Sequence, residues 1–207
     1  MPLGSRAERR RTTWSRLSIV APLVLVLASA PAHAEELPAT LRASLMVRIL
    51  AYDRRMASRP PPLTIAIVHQ EGDASSARGG QELSTALEAA ARGKTVSGQP
   101  LRVLRIGYRN ASQLQEELTR AGVVALYACE GLEAQTEAIS RVTRQLSILS
   151  ITGSEAQVNR GLGIGLSRKG NSPVILVHLS AVRAEGADLD AGLLSLSQLV
   201  EPRPGQQ

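Results

Sequence analysis

The pattern of hydrophobic and polar positions between residues 63 and 152 predicts strands that alternate with helices. Four short apolar runs are rich in β-branched residues and are bounded by proline, glycine or polar residues, which is typical of buried strands. These runs are residues 63–69, 101–106, 123–129 and 146–152. Segments between them repeat apolar residues at helical spacing. These segments are residues 81–91, 112–120 and 132–145. The alternation predicts βαβ units and a parallel sheet covered on both faces.

The segments on either side of the first strand are also predicted from their patterns. Residues 37–56 carry Leu41, Leu45 and Ile49 on one face, which favours an amphipathic helix that ends before the proline run at 60–62. Residues 71–80 are polar and contain glycines, so this stretch is predicted to be a surface loop.

The pattern of apolar and polar residues changes in the last part of the domain. Residues 162–166 alternate apolar residues with Gly163 and Gly165, a polar turn follows, and residues 173–179 form another strand-like run. This pattern predicts a hairpin at the edge of the sheet or a β-arm beside it. A short helix at 180–186 and a final helix at 189–199 complete the prediction. The predicted fold class is α/β: a single three-layer domain with a mostly parallel sheet flanked by helices, plus a C-terminal β-hairpin and helix.

The first 34 residues have the order of a secretory signal peptide. An arginine-rich start precedes an apolar run at 17–30, and Ala32-His33-Ala34 supplies a small-residue cleavage site. The apolar run is too short for a membrane-spanning helix and contains Pro22, so we expect cleavage and no stable membrane insertion. The Arg10-Arg11 pair leaves open whether the chain is exported by the general secretory pathway or by the twin-arginine pathway. The expected organisation is a signal peptide at 1–34, a domain at 35–200 and a disordered tail at 201–207, located in the periplasm.

Charge and composition argue against a nucleic-acid partner. The chain has a formal net charge of +6, but the predicted leader holds five arginines and one glutamate. The remaining residues carry 19 basic and 17 acidic side chains. A protein that binds a phosphate backbone needs clustered cationic side chains, and one that binds single strands needs aromatic side chains on which bases stack. The chain has only one Trp, three Tyr and no Phe.

Candidate chemistry is sparse. Gly163 and Gly165 lack the third glycine of a dinucleotide fingerprint, and the stretch 74–80 lacks the lysine of a phosphate-binding loop. His69 and His178 end different strands without metal-ligand spacing, so we expect hydrogen-bonded structural histidines and no metal. Cys129 is the single cysteine and is expected to be a buried thiol. Four serines lie near the ends of predicted strands and helices, and most are expected to cap helices or to lie in turns. They are Ser150, Ser154, Ser172 and Ser180. No catalytic residue, cofactor or cofactor-binding residue is assigned.

The mature chain resembles the YfiR/HmsC-like family. The resemblance lies in the leader, in the helix with Leu45 and Met46 before strand LTIAIVH, and in the step Gly98-Gln99-Pro100 before the next strand. Two further segments are also similar to the family. They are the run AGVVALYACEG and the block that starts at LSILSITGSEAQVNRGLGIGLSRKG and continues into the terminal leucine-rich segment. The likeness covers roughly residues 37–200.

The resemblance implies a periplasmic, non-enzymatic α/β protein. Some family members repress a membrane-bound diguanylate cyclase by binding its periplasmic part, and so lower cyclic-di-GMP and biofilm formation. The expected partner is therefore the periplasmic domain of an inner-membrane signalling protein, and a homodimer is a second possibility. Family members under redox control have paired cysteines, whereas this chain has only Cys129. No binding residue is carried over from the family.

Two other functions stay open at this stage. The strand–helix rhythm also suits a periplasmic solute-binding module, although the chain is short for a receptor with two lobes. A hydrolase that uses a serine with His69 or His178 is the third hypothesis.

Overall fold

The computed structural model describes residues 37–200, so the predicted signal peptide at 1–34 and the predicted tail at 201–207 lie outside the described residues. The helices are α1 Ala39–Ala51, α2 Ala74–Ala91, α3 Ala111–Ala121, α4 Thr136–Leu146, α5 Glu155–Asn159, α6 Leu179–Ala184 and α7 Ala191–Ser195. The strands are β1 Leu63–Gln70, β2 Thr95–Val96, β3 Gln99–Tyr108, β4 Val123–Ala128, β5 Leu149–Thr152, β6 Ile164–Lys169, β7 Ser172–His178 and β8 Gln198–Val200. Short 3₁₀ turns occupy Arg54–Ser58 and Glu133–Gln135.

All eight strands form one sheet with the order β2-β3-β1-β4-β5-β6-β7-β8. The strand pairs β1–β3, β1–β4, β4–β5 and β5–β6 are parallel, while β6–β7 is antiparallel. The four predicted parallel strands are confirmed, and so is the α/β fold class. The central positions of β1, β4 and β5 explain why these strands are almost entirely buried, since both faces of the sheet are covered there. Strand β3 lies nearer the edge and is mostly exposed or half-buried.

Two apolar cores lie on opposite faces of the sheet. On one face, Met46 of α1 and Leu83 of α2 pack with Ile65 and Ile67 of β1. On the other face, Leu114 of α3 and Ile139 of α4 belong to the core that includes Ala66 and Val68. Alternate residues of β1 thus pack into opposite cores, because successive side chains of a strand point to opposite faces of the sheet.

The helix α2 begins earlier than its apolar pattern indicates. The prediction of a surface loop over 71–80 is wrong from Ala74 onward, where α2 starts. The side chain of Asp73 accepts hydrogen bonds from the backbone N–H groups of Ser75 and Ser76, at 2.8 and 3.1 Å. This cap satisfies N–H groups that the first helical turn leaves open, and it lets a polar, glycine-containing stretch be helical.

The predicted hairpin is confirmed, but its place in the sheet is not the predicted edge. Strand β6 lies between β5 and β7, and β7 in turn pairs with β8. The prediction of a final helix over 189–199 is also wrong beyond Ser195. Helix α7 spans only Ala191–Ser195, and the chain then adds the parallel edge strand Gln198–Val200 beside β7.

No helix among residues 37–200 is long and apolar enough to cross a lipid bilayer.

Candidate functional site

The carboxyl ends of the parallel strands form one edge of the sheet, where ligands of open α/β sheets usually bind. At this edge, polar side chains form hydrogen bonds and an ion pair with other groups of the same chain. The hydroxyl of Ser76 accepts from the N–H of Gln70 at 2.9 Å and donates to the carbonyl of Glu130 at 2.5 Å. Glu71 and Arg109 form an ion pair across the strand ends. Donation from Arg109 lowers the pKa of the Glu71 carboxyl.

His69 and Cys129 are neighbours at the same edge. The N–H of Cys129 donates to the carbonyl of Val68 at 2.9 Å, which extends the β1–β4 ladder by one residue. Both side chains face α2, because a Cβ placed on Gly80 would lie 3.4 Å from the Cys129 Sγ and from the His69 Cβ. The predicted buried thiol is confirmed, with Cys129 only 5% exposed. The prediction of a hydrogen-bonded histidine is wrong for the buried His69 Nδ1, which has no hydrogen-bond partner within residues 37–200.

A cleft of about 690 Å³ is lined by residues of α4, of the loop after α5 and of α6. We call it the α4–α6 cleft, because α4 forms one wall and the end of β7 with α6 forms the other. Its lining includes Glu137, Ser140, Arg141 and Arg144 from α4, Arg160 and Gly161 from the loop after α5, and His178 and Ser180. Three guanidinium groups and one carboxylate thus line the cleft.

The α4–α6 cleft contains a histidine and a serine in contact. The Ser180 Oγ lies 3.1 Å from the His178 Nδ1, and the same Nδ1 accepts from the N–H of Ala181 at 3.2 Å. His178 therefore caps α6, which confirms the predicted structural role. Burial lowers the pKa of His178. The ring nitrogen that would activate a serine is already bound to a backbone donor, so this pair lacks the arrangement of a nucleophile with its general base.

The side chain of Glu185 is completely buried beside this region. Its Oε1 accepts from the hydroxyls of Thr143 at 2.7 Å and Ser150 at 2.5 Å, and its Oε2 accepts from the N–H of Ser150 at 2.9 Å. Burial raises the pKa of this carboxyl to about 7, because the charged form loses its hydration. The three hydrogen bonds act in the opposite direction and favour the carboxylate.

Gly163 makes room for the Glu185 carboxyl. A Cβ on Gly163 would lie 2.6 Å from the Oε2 of Glu185 and 3.2 Å from the carbonyl oxygen of Ser150. The Gly163 N–H donates to the Ser150 Oγ at 2.7 Å. From the sequence, Gly163 is predicted to lie in a hairpin strand, and Ser150 to have a turn or capping role. Both residues instead surround a buried acid that the sequence pattern did not reveal.

The other predicted serines have local roles. Ser154 caps α5 by accepting from the N–H of Gln157 at 3.4 Å, as expected. Ser172 begins β7, and its position in the ladder is opposite Lys169. Within residues 37–200, no three His, Cys, Asp or Glu side chains are grouped as a metal site requires.

Comparisons with known proteins give one family and several structural neighbours. A family model described as YfiR/HmsC-like matches residues 39–198, which is most of the chain. No curated protein matches the sequence significantly.

The structural neighbours share the fold at low sequence identity. A conserved domain protein from Vibrio cholerae O1 biovar El Tor is 13% identical with a TM-score of 0.56, over 78% of this chain and 60% of that one. A ligand-free, open substrate binding protein with adhesive properties from Clostridium difficile is 12% identical with a TM-score of 0.56, over 82% and 62%. A Streptococcus pneumoniae ABC domain in complex with L-Trp is 10% identical with a TM-score of 0.54, over 76% and 61%. The chain thus spans about three fifths of these proteins.

Proposed function

The chain belongs to the YfiR/HmsC-like family, and from this premise we propose that it is an exported regulatory protein that binds the periplasmic domain of a membrane-bound diguanylate cyclase. The resemblance described from the sequence is therefore confirmed at the level of the family. Membership supports a periplasmic regulatory role. The identity of the partner and the effect on cyclic-di-GMP are the parts that we propose.

The observation that carries the proposal is the extent of the family match. It runs from Ala39 to Gln198 and so includes the whole sheet except the last two residues of β8. The bonding at the carboxyl edge gives further support, since Ser76, Glu71 and Arg109 hold strand ends together there. A domain organised in this way suits recognition of another protein better than turnover of a substrate.

Regulation of this chain has to differ from that of family members with paired cysteines. Cys129 is the one cysteine of the sequence, so an intramolecular disulfide is impossible. We propose that the interaction with the cyclase is controlled without a disulfide within this chain.

Affinity capture of the full exported chain from detergent-solubilised membranes tests the proposal. Mass spectrometry of the captured proteins is expected to identify a membrane protein that carries a diguanylate cyclase domain. The matched control is the same chain without residues 1–34, which should stay in the cytoplasm and capture none of it. Absence of any cyclase from the material captured by the exported chain would overturn the proposal.

A second candidate function is the binding of a small solute. The observation that favours it is the α4–α6 cleft, together with the substrate binding protein among the structural neighbours. Ligand pockets commonly have volumes of about 300–1,000 Å³, and this cleft falls in that range. A metabolite that raises the melting temperature of the purified chain in a concentration-dependent manner would support this function.

A further inference from the structure

The α4–α6 cleft has an excess of positive charge at its walls. Arg141, Arg144 and Arg160 line it together with a single carboxylate, that of Glu137. No carboxylate of residues 37–200 lies within ion-pair distance of any of the three guanidinium groups. Clustered arginines repel one another, so an arrangement without paired acids favours a bound anion.

From this geometry we propose that the α4–α6 cleft binds a small dianion that bears carboxylate or phosphoryl groups. The inference does not depend on the proposed cyclase partner. It gives the second candidate function a ligand class, and it would equally suit a regulatory protein that senses a metabolite.

Two of the arginines are held in place by backbone carbonyls. Arg144 donates from Nη2 to the carbonyl of Gly161 at 3.2 Å, and Arg160 donates from Nη1 to the carbonyl of Glu133 at 2.9 Å. Each guanidinium has five N–H donors, so most donors stay available for a ligand. Arginine pairs with carboxylate and phosphate oxygens through two parallel hydrogen bonds, which gives both strength and orientation.

Two neutral side chains also line the cleft and can act as donors. His178 is 5% exposed, and its Nδ1 accepts from the N–H of Ala181. A neutral imidazole with an accepting Nδ1 carries its proton on Nε2, so this cleft-lining residue offers a ring N–H as a further donor. Ser180 also lines the cleft with an exposed hydroxyl. The ligand would thus meet guanidinium groups together with neutral imidazole and hydroxyl donors.

The charge and volume of the cleft define the ligand class. Among the side chains that line the cleft, three guanidinium groups against one carboxylate leave an excess of two positive charges, which a dianion balances. The buried Glu185, on which Arg144 also acts electrostatically, does not line the cleft. A volume of about 690 Å³ suits a metabolite and is too small for a folded partner. Succinate and inorganic phosphate are therefore suitable probes for the carboxylate and phosphoryl forms of the same chemistry.

Isothermal titration of the full chain with each probe, at matched low ionic strength, tests the proposal. We expect saturable binding of at least one probe, and its identity distinguishes a carboxylate ligand from a phosphoryl ligand. The double variant Arg141→Gln with Arg160→Gln should bind at least about tenfold more weakly, because two charge-assisted contacts are lost. Glu137→Gln should bind about threefold more tightly, because the one negative group at the wall is removed.

Arg105→Gln is the control, since Arg105 is an exposed arginine on β3 and does not line the cleft. It should bind as the wild type does. Equal affinities in all variants would show that binding is non-specific, and absence of saturation up to about 10 mM of both probes would also overturn the proposal. Either result leaves capture of the cyclase unaffected, so the two proposals can fail separately.

Discussion

The Glu185 carboxyl accepts a hydrogen bond from the Ser150 backbone N–H at 2.9 Å, near the start of β5. The neighbouring strand β6 pairs with β5 only at Ile151 and Thr152, so Ser150 lies just before the paired region. Glu185 thus takes the place of a strand partner at this position. An unpaired backbone N–H in a buried sheet is costly, which explains why a carboxyl group is kept in the interior.

The hydrogen bonds around Glu185 favour the carboxylate, but burial outweighs them, and one arrangement of these bonds accommodates a protonated carboxyl. The Thr143 hydroxyl lies 2.7 Å from the Glu185 Oε1 and 3.1 Å from the carbonyl of Ser140. A hydroxyl has one proton and can donate to only one of these acceptors. When Thr143 donates to the Ser140 carbonyl, a protonated Glu185 can donate to Thr143, and every group then has a partner.

Stability should fall as pH rises through the range in which Glu185 loses its proton. Burial raises the pKa of Glu185 to about 7 from an ordinary 4.5. Between these values the native state holds a proton that the unfolded state has released, so the free energy of unfolding decreases toward pH 7 and then levels off. The expected contribution is roughly 3 kcal/mol. Urea unfolding at pH 4.5, 6 and 8 measures it.

The substitution Glu185→Gln isolates this contribution. The amide oxygen can accept from the Ser150 N–H and the amide nitrogen can donate to the Thr143 and Ser150 hydroxyls, so the neutral contacts persist. The variant should gain stability relative to wild type as pH rises from 4.5 to 8. Exposed Glu82→Gln should leave the pH profile unchanged. Parallel profiles of wild type and Glu185→Gln would contradict the prediction.

Gly163→Ala should be strongly destabilising. The new Cβ would lie 2.6 Å from the Glu185 Oε2, and it would have to displace the buried carboxyl. We expect a loss of about 2–3 kcal/mol in the free energy of unfolding. Gly79→Ala is the matched control, because a Cβ there meets nothing within 4 Å and the site lies inside α2.

The control should stabilise the chain by about 0.5–1 kcal/mol, since alanine favours helix more than glycine does. Thermal and urea unfolding of both variants should therefore show changes of opposite sign. Equal effects of the two substitutions would mean that Gly163 and Glu185 are not in close contact.

The Cys129 thiol should react slowly with a thiol reagent in the folded protein. It is 5% exposed and lies under α2 where Gly80 packs against the sheet, so the reagent reaches it only after local opening. A Ser75→Cys variant provides an exposed reference thiol on the first turn of α2. Reaction with Ellman's reagent should show one fast and one slow equivalent in this variant. A fast reaction of the wild type would contradict the buried position.

Leu196 and Leu199 should contribute to partner binding more than to folding. Among residues 37–200 they are the large apolar side chains exposed to solvent, at 69% and 53%. Leu199 lies in the edge strand β8, and Leu196 ends α7 just before it. The double substitution to serine is expected to change the free energy of unfolding by less than about 0.5 kcal/mol. Capture of the cyclase is expected to fall at least about tenfold, because apolar anchors dominate interface energies.

The control for the leucine variant is Gln115→Ser with Thr119→Ser, two exposed positions on α3. This variant should capture the cyclase as the wild type does. Undiminished capture by the leucine variant would show that β8 is not part of the contact.

The central strands could be predicted from the sequence because burial on both faces leaves a continuous apolar run. Leu63 to Val68 are buried without exception, and so are all residues of β4. Features set by tertiary contacts could not be predicted in this way. The segment around Leu199 is leucine-rich and favours helix locally, yet pairing with Val177 of β7 makes it a strand.

Most of the candidate site could not be predicted from the sequence. Glu185 is surrounded by Ser150 and Thr143, which are 35 and 42 positions away, and no local motif relates the three residues. The arginines of the α4–α6 cleft come from α4 and from the loop after α5, where each is surrounded by polar residues of an ordinary surface. Four residues of the two regions lie at positions that the sequence pattern had marked: His178 and Ser180 at the start of α6, and Ser150 and Gly163 beside Glu185.

Cellular cyclic-di-GMP is the measurement that tests the proposed regulatory function most directly. Deletion of the gene should raise the cyclic-di-GMP concentration, and expression of the full chain should restore it, whereas a chain without residues 1–34 should not. An unchanged concentration in all three strains, or equal restoration by the chain without its leader, would contradict regulation of a membrane cyclase from the periplasm.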